Sequence, residues 1–349
     1  MVDSIPDPMR RILKQVSRSF YLTLAVLPAS LRGPVSLAYL LARAADTIAD
    51  TRIIHWTDRL RYLDLFRTEL DCPTVSRLSE IAGSLTGPQR IPAERDLLAR
   101  LPECFRLFRA LREDDRARIR SLLLALTHGM QEDLRTFPGE SHESLAALES
   151  RADLERYTYY AAGCVGEFWT DMTMAHCPAL RHWDATAMRR RGMHYGQGLQ
   201  MTNVLRDLAH DFQMGRCYLP RQDLTKLGLA PNDLLDPGAV DRLRPLLNEL
   251  LRLALDHYAE GATYLLAIPR TEVRLRLACA WPLLIGLRTL DLVQRSRNLL
   301  DPGVTVKISR SAVYAIMACS TLLTWSNGGL ERYYRGLRDR IGARSMPAR

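Results

Sequence analysis

The sequence lacks the cysteine spacing of a disulfide framework or a zinc ribbon. Its seven cysteines are an odd number, and none of them forms a CxxC pair. Isolated thiols of this kind are typical of a protein in a reducing compartment. Alternating runs of Val, Ile and Thr are also scarce, which disfavours a β-sheet protein. No P-loop, HExxH or GxSxG motif occurs, so the chemistries of those motifs have no support.

Lysine is the next scarcity. It occurs only at Lys14, Lys226 and Lys307, so arginine supplies nearly all of the positive charge, and the formal net charge is +9. An arginine bias reflects either codon usage or binding to phosphates or an anionic surface, because a guanidinium group offers a planar fork of donors. The last nineteen residues hold six arginines against two acidic residues, so this end is either solvated or in contact with anionic lipid.

Long hydrophobic runs are absent as well. Segment 1–10 carries two acidic residues and two prolines, unlike a signal peptide. The longest uncharged stretch, 311–330, contains several Ser and Thr residues and two glycines. A membrane-spanning helix needs about 20 mainly apolar residues. We therefore expect this stretch to form a buried helix.

What the sequence does contain is helical periodicity. Hydrophobic residues make up 47% of the 349 residues, which excludes a disordered chain. Apolar residues recur at three- and four-residue intervals in segments 101–130, 148–176, 186–214 and 240–268. Gly- and Pro-bearing breakers separate these segments, and none of them resembles a long flexible linker. The pattern predicts one all-α domain over 1–349, with flexible ends at 1–10 and 336–349.

Two acid pairs carry the chemical signal. Asp46 and Asp50 form the first, and Asp207 and Asp211 form the second. Residues spaced i and i+4 on a helix share one face, with Cβ atoms roughly 5–6 Å apart. A bare acid pair is usually just solvated, but segment 35–48 is apolar nearly all round. We therefore expect a buried helix whose acids face the interior, where unpaired carboxylates are costly.

Each acid pair continues a polar stripe. Tyr39 and Arg43 precede the first pair on its face, and Gln200 and Asn203 precede the second. The paired carboxylates need positive charge nearby. Either Arg43 and Arg206 supply it through internal salt bridges, or a divalent metal supplies it. Mg²⁺ prefers oxygen and is typically held by one or two carboxylates plus substrate phosphates. Two acid pairs facing each other across a helix bundle would hold Mg²⁺ (or Mn²⁺) against a diphosphate, with Asn203 as a neutral ligand.

A third segment, 157–169, mixes aromatic and small residues. Small residues let helices approach closely, and the aromatic side chains either line a pocket or pack in the core. Gly196 and Gly198 lie in a helical pattern without a further glycine at the right place, so they are not a dinucleotide-binding loop.

Together these blocks resemble the squalene and phytoene synthase family of head-to-head prenyl synthases. The resemblance runs from about residue 11 to about residue 320. It rests on Ser17-Arg18-Ser19-Phe20, YLLARAADTIAD (39–50), YTYYAAGCVG (157–166), GLQMTNVLRDLAHD (198–211) and GRCYLP (215–220). It implies an all-α isoprenoid synthase helical bundle with a central apolar cavity. The block 198–207 is closest to the squalene synthase form.

The resemblance also implies two half-reactions. Two farnesyl diphosphates first give presqualene diphosphate with Mg²⁺, and hydride from NADPH then gives squalene. Tyr157 matches a family tyrosine implicated in the proton chemistry. The implied metal ligands are Asp46, Asp50, Asn203, Asp207 and Asp211. The four aspartates among them are also implied to be catalytic. The implied substrate-binding residues are Ser17, Arg18, Ser19, Phe20, Tyr39, Arg43, Gln200, Asn203 and Arg206.

A basic segment, VKISRSAV (306–313), is similar to one that helps squalene synthases bind NADPH. The implied cofactor-binding residues are Arg18, Arg43, Lys307, Ser309 and Arg310. Three positions depart from the family pattern. Ser309 stands where eukaryotic enzymes have Arg, Ala49 stands where they have a further acid, and His210 replaces a frequent Glu.

The implied partners are farnesyl diphosphate and a membrane surface for product release, with no nucleic acid, and we expect a monomer or weak dimer. The eukaryotic C-terminal anchor is missing, which suggests a bacterial enzyme in the cytoplasm, peripheral on the inner face of the membrane. One alternative is a relative that makes presqualene diphosphate, hydroxysqualene, dehydrosqualene or phytoene without NADPH. Another is a non-catalytic scaffold protein, which the four intact aspartates disfavour.

Overall fold

The computed structural model describes residues 5–17, 20–72 and 74–342, and these are helical almost throughout. The α-helices are α1 (Asp7–Val16), α2 (Phe20–Val26), α3 (Ala29–Asp50), α4 (Trp56–Asp71), α5 (Val75–Thr86), α6 (Pro92–Ala99), α7 (Leu101–Arg109), α8 (Glu113–Thr136), α9 (Arg151–Thr158), α10 (Cys164–His176), α11 (Ala185–Arg206), α12 (Leu208–Gln213), α13 (Arg221–Lys226), α14 (Val240–Ala267), α15 (Val273–Arg295), α16 (Arg310–Leu323) and α17 (Asn327–Gly342). The predicted all-α fold is confirmed.

The remaining regular structure is short. A π-helix joins α9 to α10, and two-residue strands β1 and β2 pair in parallel, Ala146 with Arg216 and Ala147 with Cys217. The π-helix, the strands and the 3₁₀ helices span Tyr159–Gly163, Ala146–Ala147 (β1), Arg216–Cys217 (β2), His142–Ser144, Pro178–Leu180, Pro231–Leu235 and Pro237–Ala239.

The chain divides into two compact units, so the prediction of one domain remains a prediction. The N-terminal unit is Met1–Arg135 with Phe168–Arg181, and the C-terminal unit is Thr136–Glu167 with His182–Arg349. In the N-terminal unit, α1, α2, α4, α6 and α7 all pack against α3. This explains why α3 is apolar nearly all round: most of its surface is covered by neighbouring helices.

In the C-terminal unit, α11 packs against α14, α15 and the π-helix. A Cβ atom on Gly166 would lie 1.8 Å from the carbonyl oxygen of Gly192, and one on Gly196 would lie 2.1 Å from that of Ala162. No side chain fits at these distances. The expectation that small residues here allow close helix approach is therefore confirmed.

The predicted helical segments are interrupted in three places. Residues 110–112 separate α7 from α8, the π-helix interrupts the second segment, and α11 ends just before Asp207. The expected flexible ends also differ from the structure. Residues 7–10 belong to α1 and 336–342 to α17, because apolar residues there, including the fully buried Met9 and Ile341, pack inward.

The expectation of a buried helix in 311–330 is wrong. In α16 only Ile316 and Ser320 are buried, and the Leu322 side chain is 81% exposed. The helix packs mainly on α15 and α17, so neighbours cover it from one side only. Among the described helices, α15 is long and apolar enough to span a membrane by length and composition alone. However, 67% of its apolar stretch is buried, as in a core helix.

Candidate active site

The first acid pair lies on the accessible stripe of α3. This helix is described in full, and beyond Arg32 its only residues that are not buried are Tyr39, Ala42, Arg43, Asp46 and Asp50. They follow one face, as the spacing predicts. The expectation that the acids face the interior is corrected, because Asp50 is exposed and 39% of the Asp46 side chain reaches solvent.

Arg43 links the first acid pair to a third carboxylate. Its Nη1 donates to Asp46 Oδ2, and its Nη2 donates to Oε1 of Glu94 on α6 at 2.5 Å. The Glu94 side chain is only 10% exposed. Partial burial and the neighbouring Asp50 raise the pKa of Asp46 to about 7, although Arg43 acts in the opposite direction. This excess of negative charge favours a bound cation.

The aromatic end of the stripe is built from α2 and α3. The rings of Phe20 and Tyr39 stack with centroids 5.3 Å apart and planes 19° apart. The Tyr39 hydroxyl donates to the Val16 carbonyl oxygen at 3.4 Å. Both predicted substrate-binding aromatics therefore lie together and present partly accessible ring surface.

The block before α2 has a structural role at Ser17. Ser17 is buried, and its hydroxyl donates to the Leu13 carbonyl oxygen at 2.5 Å, within the last turn of α1. This hydroxyl stabilises a helix end and has its proton engaged there. Arg18 and Ser19, the other predicted residues of the block, lie outside the described residues.

The second acid pair lies at a helix break. Asp207 lies between the last residue of α11 and the first residue of α12, and its backbone angles are φ −102° and ψ 15°. Its N–H still donates to the Asn203 carbonyl at 2.9 Å, and the Asp211 N–H donates to the Asp207 carbonyl at 2.9 Å. The predicted polar stripe therefore continues through the break without the unbroken helix that we expected.

Arg206 holds the first carboxylate of this pair. Its Nε donates to Asp207 Oδ1 at 2.7 Å, and its Nη2 donates to Oδ2 at 2.5 Å. This bidentate bond raises the pKa of Arg206. The salt bridges that the sequence offered as an alternative to metal are thus present at Arg43 and Arg206. About a third of the Asp207 side chain, 35%, remains accessible.

A hydrogen-bonded chain leads from Asn203, one turn before this pair, to a tyrosine. Asn203 Nδ2 donates to Gln200 Oε1 at 3.1 Å, and Gln200 Nε2 donates to the Tyr157 hydroxyl at 2.9 Å. The Tyr157 ring stacks on Tyr218 with centroids 4.1 Å apart, and Tyr218 packs edge-on against Phe137. Because the Tyr157 oxygen accepts from Gln200, its own proton can be donated elsewhere.

Sequence reasoning missed two of these residues. The local sequence does not distinguish Glu94 from other acidic residues, and Tyr218 is a member of the GRCYLP block with no predicted role of its own. A signal existed for Tyr218, since an aromatic residue follows the second acid pair within one matching block. No local pattern marks Glu94, because its partner Arg43 lies 51 residues away.

The donor chemistry of the two pairs fits Mg²⁺ bound together with a diphosphate. Among the described residues, no group of three or more His, Cys, Asp or Glu side chains could hold a metal on its own. Mg²⁺ accepts one or two carboxylates when phosphate and water oxygens complete its shell. Each pair supplies two carboxylates, and the bond from Asn203 to Gln200 leaves the Asn203 side-chain oxygen free to act as a ligand.

The predicted NADPH segment lies before and at the start of α16. Lys307 and Arg310 are exposed, and neither forms an ion pair with any residue in the described part of the chain. Ser309 caps α16, because its hydroxyl accepts from the Ala312 N–H at 3.2 Å. The two cations suit a nucleotide phosphate, whereas the Ser309 hydroxyl already has a structural role.

The all-α fold and the two acid pairs agree with the family that the sequence motifs suggest, whose members are enzymes of the prenyltransferase type. A family model described as squalene/phytoene synthase matches residues 13–312, and the chain belongs to this family.

Several known proteins are similar to the chain. The squalene synthase of Eremothecium gossypii is 26% identical over 334 residues, covering 95% of this chain and 71% of that protein. A bifunctional lycopene cyclase/phytoene synthase of Colletotrichum graminicola is 28% identical over 268 residues, covering 74% of this chain but only 41% of that protein. A ligand complex of the protein TcSQS superposes with a TM-score of 0.79 at 25% identity, covering 98% of this chain and 92% of that one.

Proposed function

We propose that the protein is a squalene synthase. It joins two farnesyl diphosphates head to head into presqualene diphosphate and then reduces this product to squalene with NADPH. The observation that supports the proposal most is the pair of accessible acidic sites, Asp46/Asp50 and Asp207/Asp211, in a chain of this family.

The acid pairs and their arginines bind the diphosphates in this proposal. Asp46 and Asp207 each have an adjacent guanidinium that can turn towards an incoming phosphate oxygen as the carboxylate turns to the metal. Arg43 has Glu94 to keep it in place during this exchange. When bound, Mg²⁺ neutralises the negative charge that develops on the leaving diphosphate.

Tyr157 handles a proton in the first half-reaction. Closing a cyclopropane ring after the two chains join requires loss of a proton from the carbocation. The Gln200 amide and the Tyr218 ring fix the position of the Tyr157 hydroxyl, which gives a general acid–base group its orientation. The stacked Tyr157 and Tyr218 rings also present π surface that stabilises a nearby cation.

The second half-reaction uses the basic segment. Lys307 and Arg310 pair with phosphate groups of NADPH, and exposure leaves both free to do so. This half-reaction also requires that water be excluded from the site, because water would trap the carbocation as an alcohol. In the same proposal the protein is cytoplasmic, peripheral on the inner membrane face, and a monomer or weak dimer.

A second candidate is a family member that omits the reduction and makes phytoene or dehydrosqualene. The similarity to the bifunctional lycopene cyclase/phytoene synthase of Colletotrichum graminicola, at 28% identity, favours this alternative. Its first half-reaction uses the same acid pairs, so Asp46 or Asp207 variants do not separate the two candidates.

Product analysis separates them. Purified full-length protein is incubated with farnesyl or geranylgeranyl diphosphate and Mg²⁺, with and without NADPH, and the products are identified by mass spectrometry. We expect squalene from farnesyl diphosphate only with NADPH, and presqualene diphosphate or products of water capture or proton loss without it. Failure to form squalene at any NADPH concentration would assign the protein to the second candidate. Full activity with a chelator would refute both.

A further inference from the structure

The most exposed large apolar side chains of the described residues cluster on one short segment. Leu322 is 81% exposed, Tyr314 65% and Trp325 63%, all within α16 or just after it. Tyr314, Ala318, Leu322 and Trp325 are spaced i, i+4, i+8 and i+11, so they share one face, which we call the exposed stripe. An apolar helix that buries so few of its residues requires an explanation, because contiguous exposed apolar surface usually marks an interaction site.

A basic groove lies beside the exposed stripe. It is a cleft of about 510 Å³ between α15, α16 and α17, lined by Ile316 and Leu337 together with Arg288, Arg332 and Arg340. Arg288 pairs with Asp291 in α15. Arg332 and Arg340 have no carboxylate partner in the described part of the chain. The groove therefore combines apolar walls with uncompensated positive charge.

Acidic residues are missing from the segment that carries the exposed stripe. Between Asp301 and Glu331 the sequence contains no Asp or Glu. An occupant of this surface therefore needs an apolar part for the stripe and negative charge for the arginines.

We propose that the exposed stripe and the basic groove dock the protein on an anionic lipid bilayer. α16 has 14 residues, which makes it about 21 Å long, too short for a hydrocarbon core of about 30 Å. A short apolar helix with neighbouring arginines lies in the plane of the interface, with its apolar face among the acyl chains. Tyr314 and Trp325, near the two ends of the stripe, are residue types that favour the membrane–water boundary.

A second copy of the chain fits this surface less well. A symmetric dimer through the stripe would bring Arg332 and Arg340 of both copies to one interface, and the stripe itself has no acidic residue to pair with them. Like charges at such an interface repel, whereas phosphatidylglycerol headgroups attract them. The inference rests on the peripheral membrane location given under the proposed function and names the surface responsible for it. It uses none of the predicted catalytic residues and holds whichever prenyl product the protein makes.

Vesicle binding by the full-length protein tests the inference. Sedimentation compares phosphatidylcholine vesicles with vesicles containing roughly equal parts of phosphatidylglycerol. We expect binding to the anionic vesicles, and roughly tenfold weaker binding for Leu322→Glu, because a leucine that inserts among the acyl chains is replaced by a charge. Ile91→Glu is the matched control. Ile91 is an aliphatic residue of the same size as Leu322 and its side chain is 44% exposed, but it lies on the N-terminal unit.

The charge is tested separately. Arg332→Ala and Arg340→Ala should each weaken binding to anionic vesicles about fivefold and leave binding to neutral vesicles unchanged. Arg106→Ala, which removes a 70% exposed arginine from α7, should change neither. Circular dichroism verifies that each variant keeps its helix content.

Three results would overturn the inference: no binding of the wild type to anionic vesicles, equal losses for Leu322→Glu and Ile91→Glu, or a dimer in solution that Leu322→Glu converts to a monomer. The last result would assign the stripe to a second copy.

Discussion

The two acid pairs share one spacing but differ in their surroundings. The first lies on an unbroken helix, α3, and its arginine is shared between Asp46 and Glu94. The second lies at a helix break, and its arginine, Arg206, is committed to Asp207 alone. In place of a third carboxylate, the second pair is preceded on α11 by a hydrogen-bonded chain that runs from Asn203 through Gln200 to Tyr157.

The difference indicates two roles for one motif. At the first pair, Asp50 and Glu94 add negative charge near Asp46, so this site has the greater need for a cation. At the second pair, Asn203 and Gln200 extend the polar surface to a hydroxyl that can exchange a proton. We infer that the first pair mainly binds metal, whereas the second pair also couples the metal site to the proton chemistry.

The largest effects should come from the carboxylates themselves. Asp46→Asn and Asp207→Asn should each lower turnover of farnesyl diphosphate by at least about 100-fold, because each removes a charged metal ligand. Helix content should stay nearly unchanged, since both side chains are partly exposed. Asp58→Asn and Asp241→Asn, at exposed positions in each unit, are the controls. A near-normal rate in either active-site variant would refute the metal-binding role.

Tyr157→Phe addresses the difference between the pairs. We expect formation of presqualene diphosphate to fall about 100-fold, because only the hydroxyl is lost. Conversion of supplied presqualene diphosphate should fall no more than this. Tyr159→Phe, whose hydroxyl donates to Glu167 instead, is the matched control. Equal, wild-type-like rates from both substrates would leave Tyr157 as a packing residue.

Acid should destabilise the helix of the second pair more than that of the first. His194 on α11 and His257 on α14 lie with their Nδ1 atoms 3.1 Å apart. Burial, and then the His194 ring, lower the pKa of His257 from 6.5 to about 4. Between these values the unfolded chain binds more protons, so stability is lost as pH falls through this window, by up to roughly 3 kcal/mol.

Hydrogen exchange measures this difference helix by helix. Protection of α11 should decrease between about pH 7 and about pH 5 more than that of α3, whose neighbours α1, α2, α4, α6 and α7 contain no histidine. His257→Gln should reduce the difference but not remove it, because protonation of Asp46, whose pKa is raised to about 7, stabilises the fold around α3 as the pH falls. An equal pH response of both helices in the wild type would contradict the account.

Removing Glu94 should make the two pairs more alike. Glu94→Gln leaves Arg43 with Asp46 as its one charged partner, so we expect a loss of about 1–3 kcal/mol in the free energy of unfolding and a higher Mg²⁺ requirement. Glu80→Gln, which breaks the exposed pair with Arg61, should cost less than about 1 kcal/mol. Urea unfolding and Mg²⁺ titration of the rate provide the measurements. The same small loss for both variants would remove Glu94 from the site.

The smallest effect is expected at Lys307. Lys307→Ala should raise the KM for NADPH several-fold, since an exposed point charge contributes about 1 kcal/mol to phosphate binding. Formation of presqualene diphosphate should be unaffected, because it needs no hydride. Lys226→Ala, which loses an exposed lysine paired with Asp223, serves as the control. An unchanged KM would exclude Lys307 from the nucleotide site.

The sequence predicts the first pair better than the second. On α3 the apolar surroundings leave one polar stripe, and beyond Arg32 the accessible residues of the helix are Ala42 and the members of that stripe. The break at Asp207 has no glycine or proline to mark it, so periodicity alone carries the helix through it. The contact between Arg43 and Glu94 depends on tertiary packing over 51 residues, which local patterns do not encode.

Helix α16 shows a different limit of sequence reasoning. Its apolar composition is compatible with a core and with a surface that meets lipid, because hydropathy measures composition and not the number of neighbouring helices. Only the fold shows that Leu322 and Trp325 remain exposed. The sequence also shows that residues 302–330 contain no acidic residue. This absence indicates a membrane contact only once the segment is known to lie on the surface.

Metal binding by the two pairs is the central claim, and electron paramagnetic resonance of Mn²⁺ tests it most directly. The full-length protein is titrated with Mn²⁺ in the presence of an unreactive farnesyl thiolodiphosphate, which keeps the substrate from turning over. We expect the wild type to bind Mn²⁺ with the analogue, and Asp46→Asn/Asp50→Asn and Asp207→Asn/Asp211→Asn each to lose bound Mn²⁺. Binding as tight and as extensive as that of the wild type in either double variant would contradict the account.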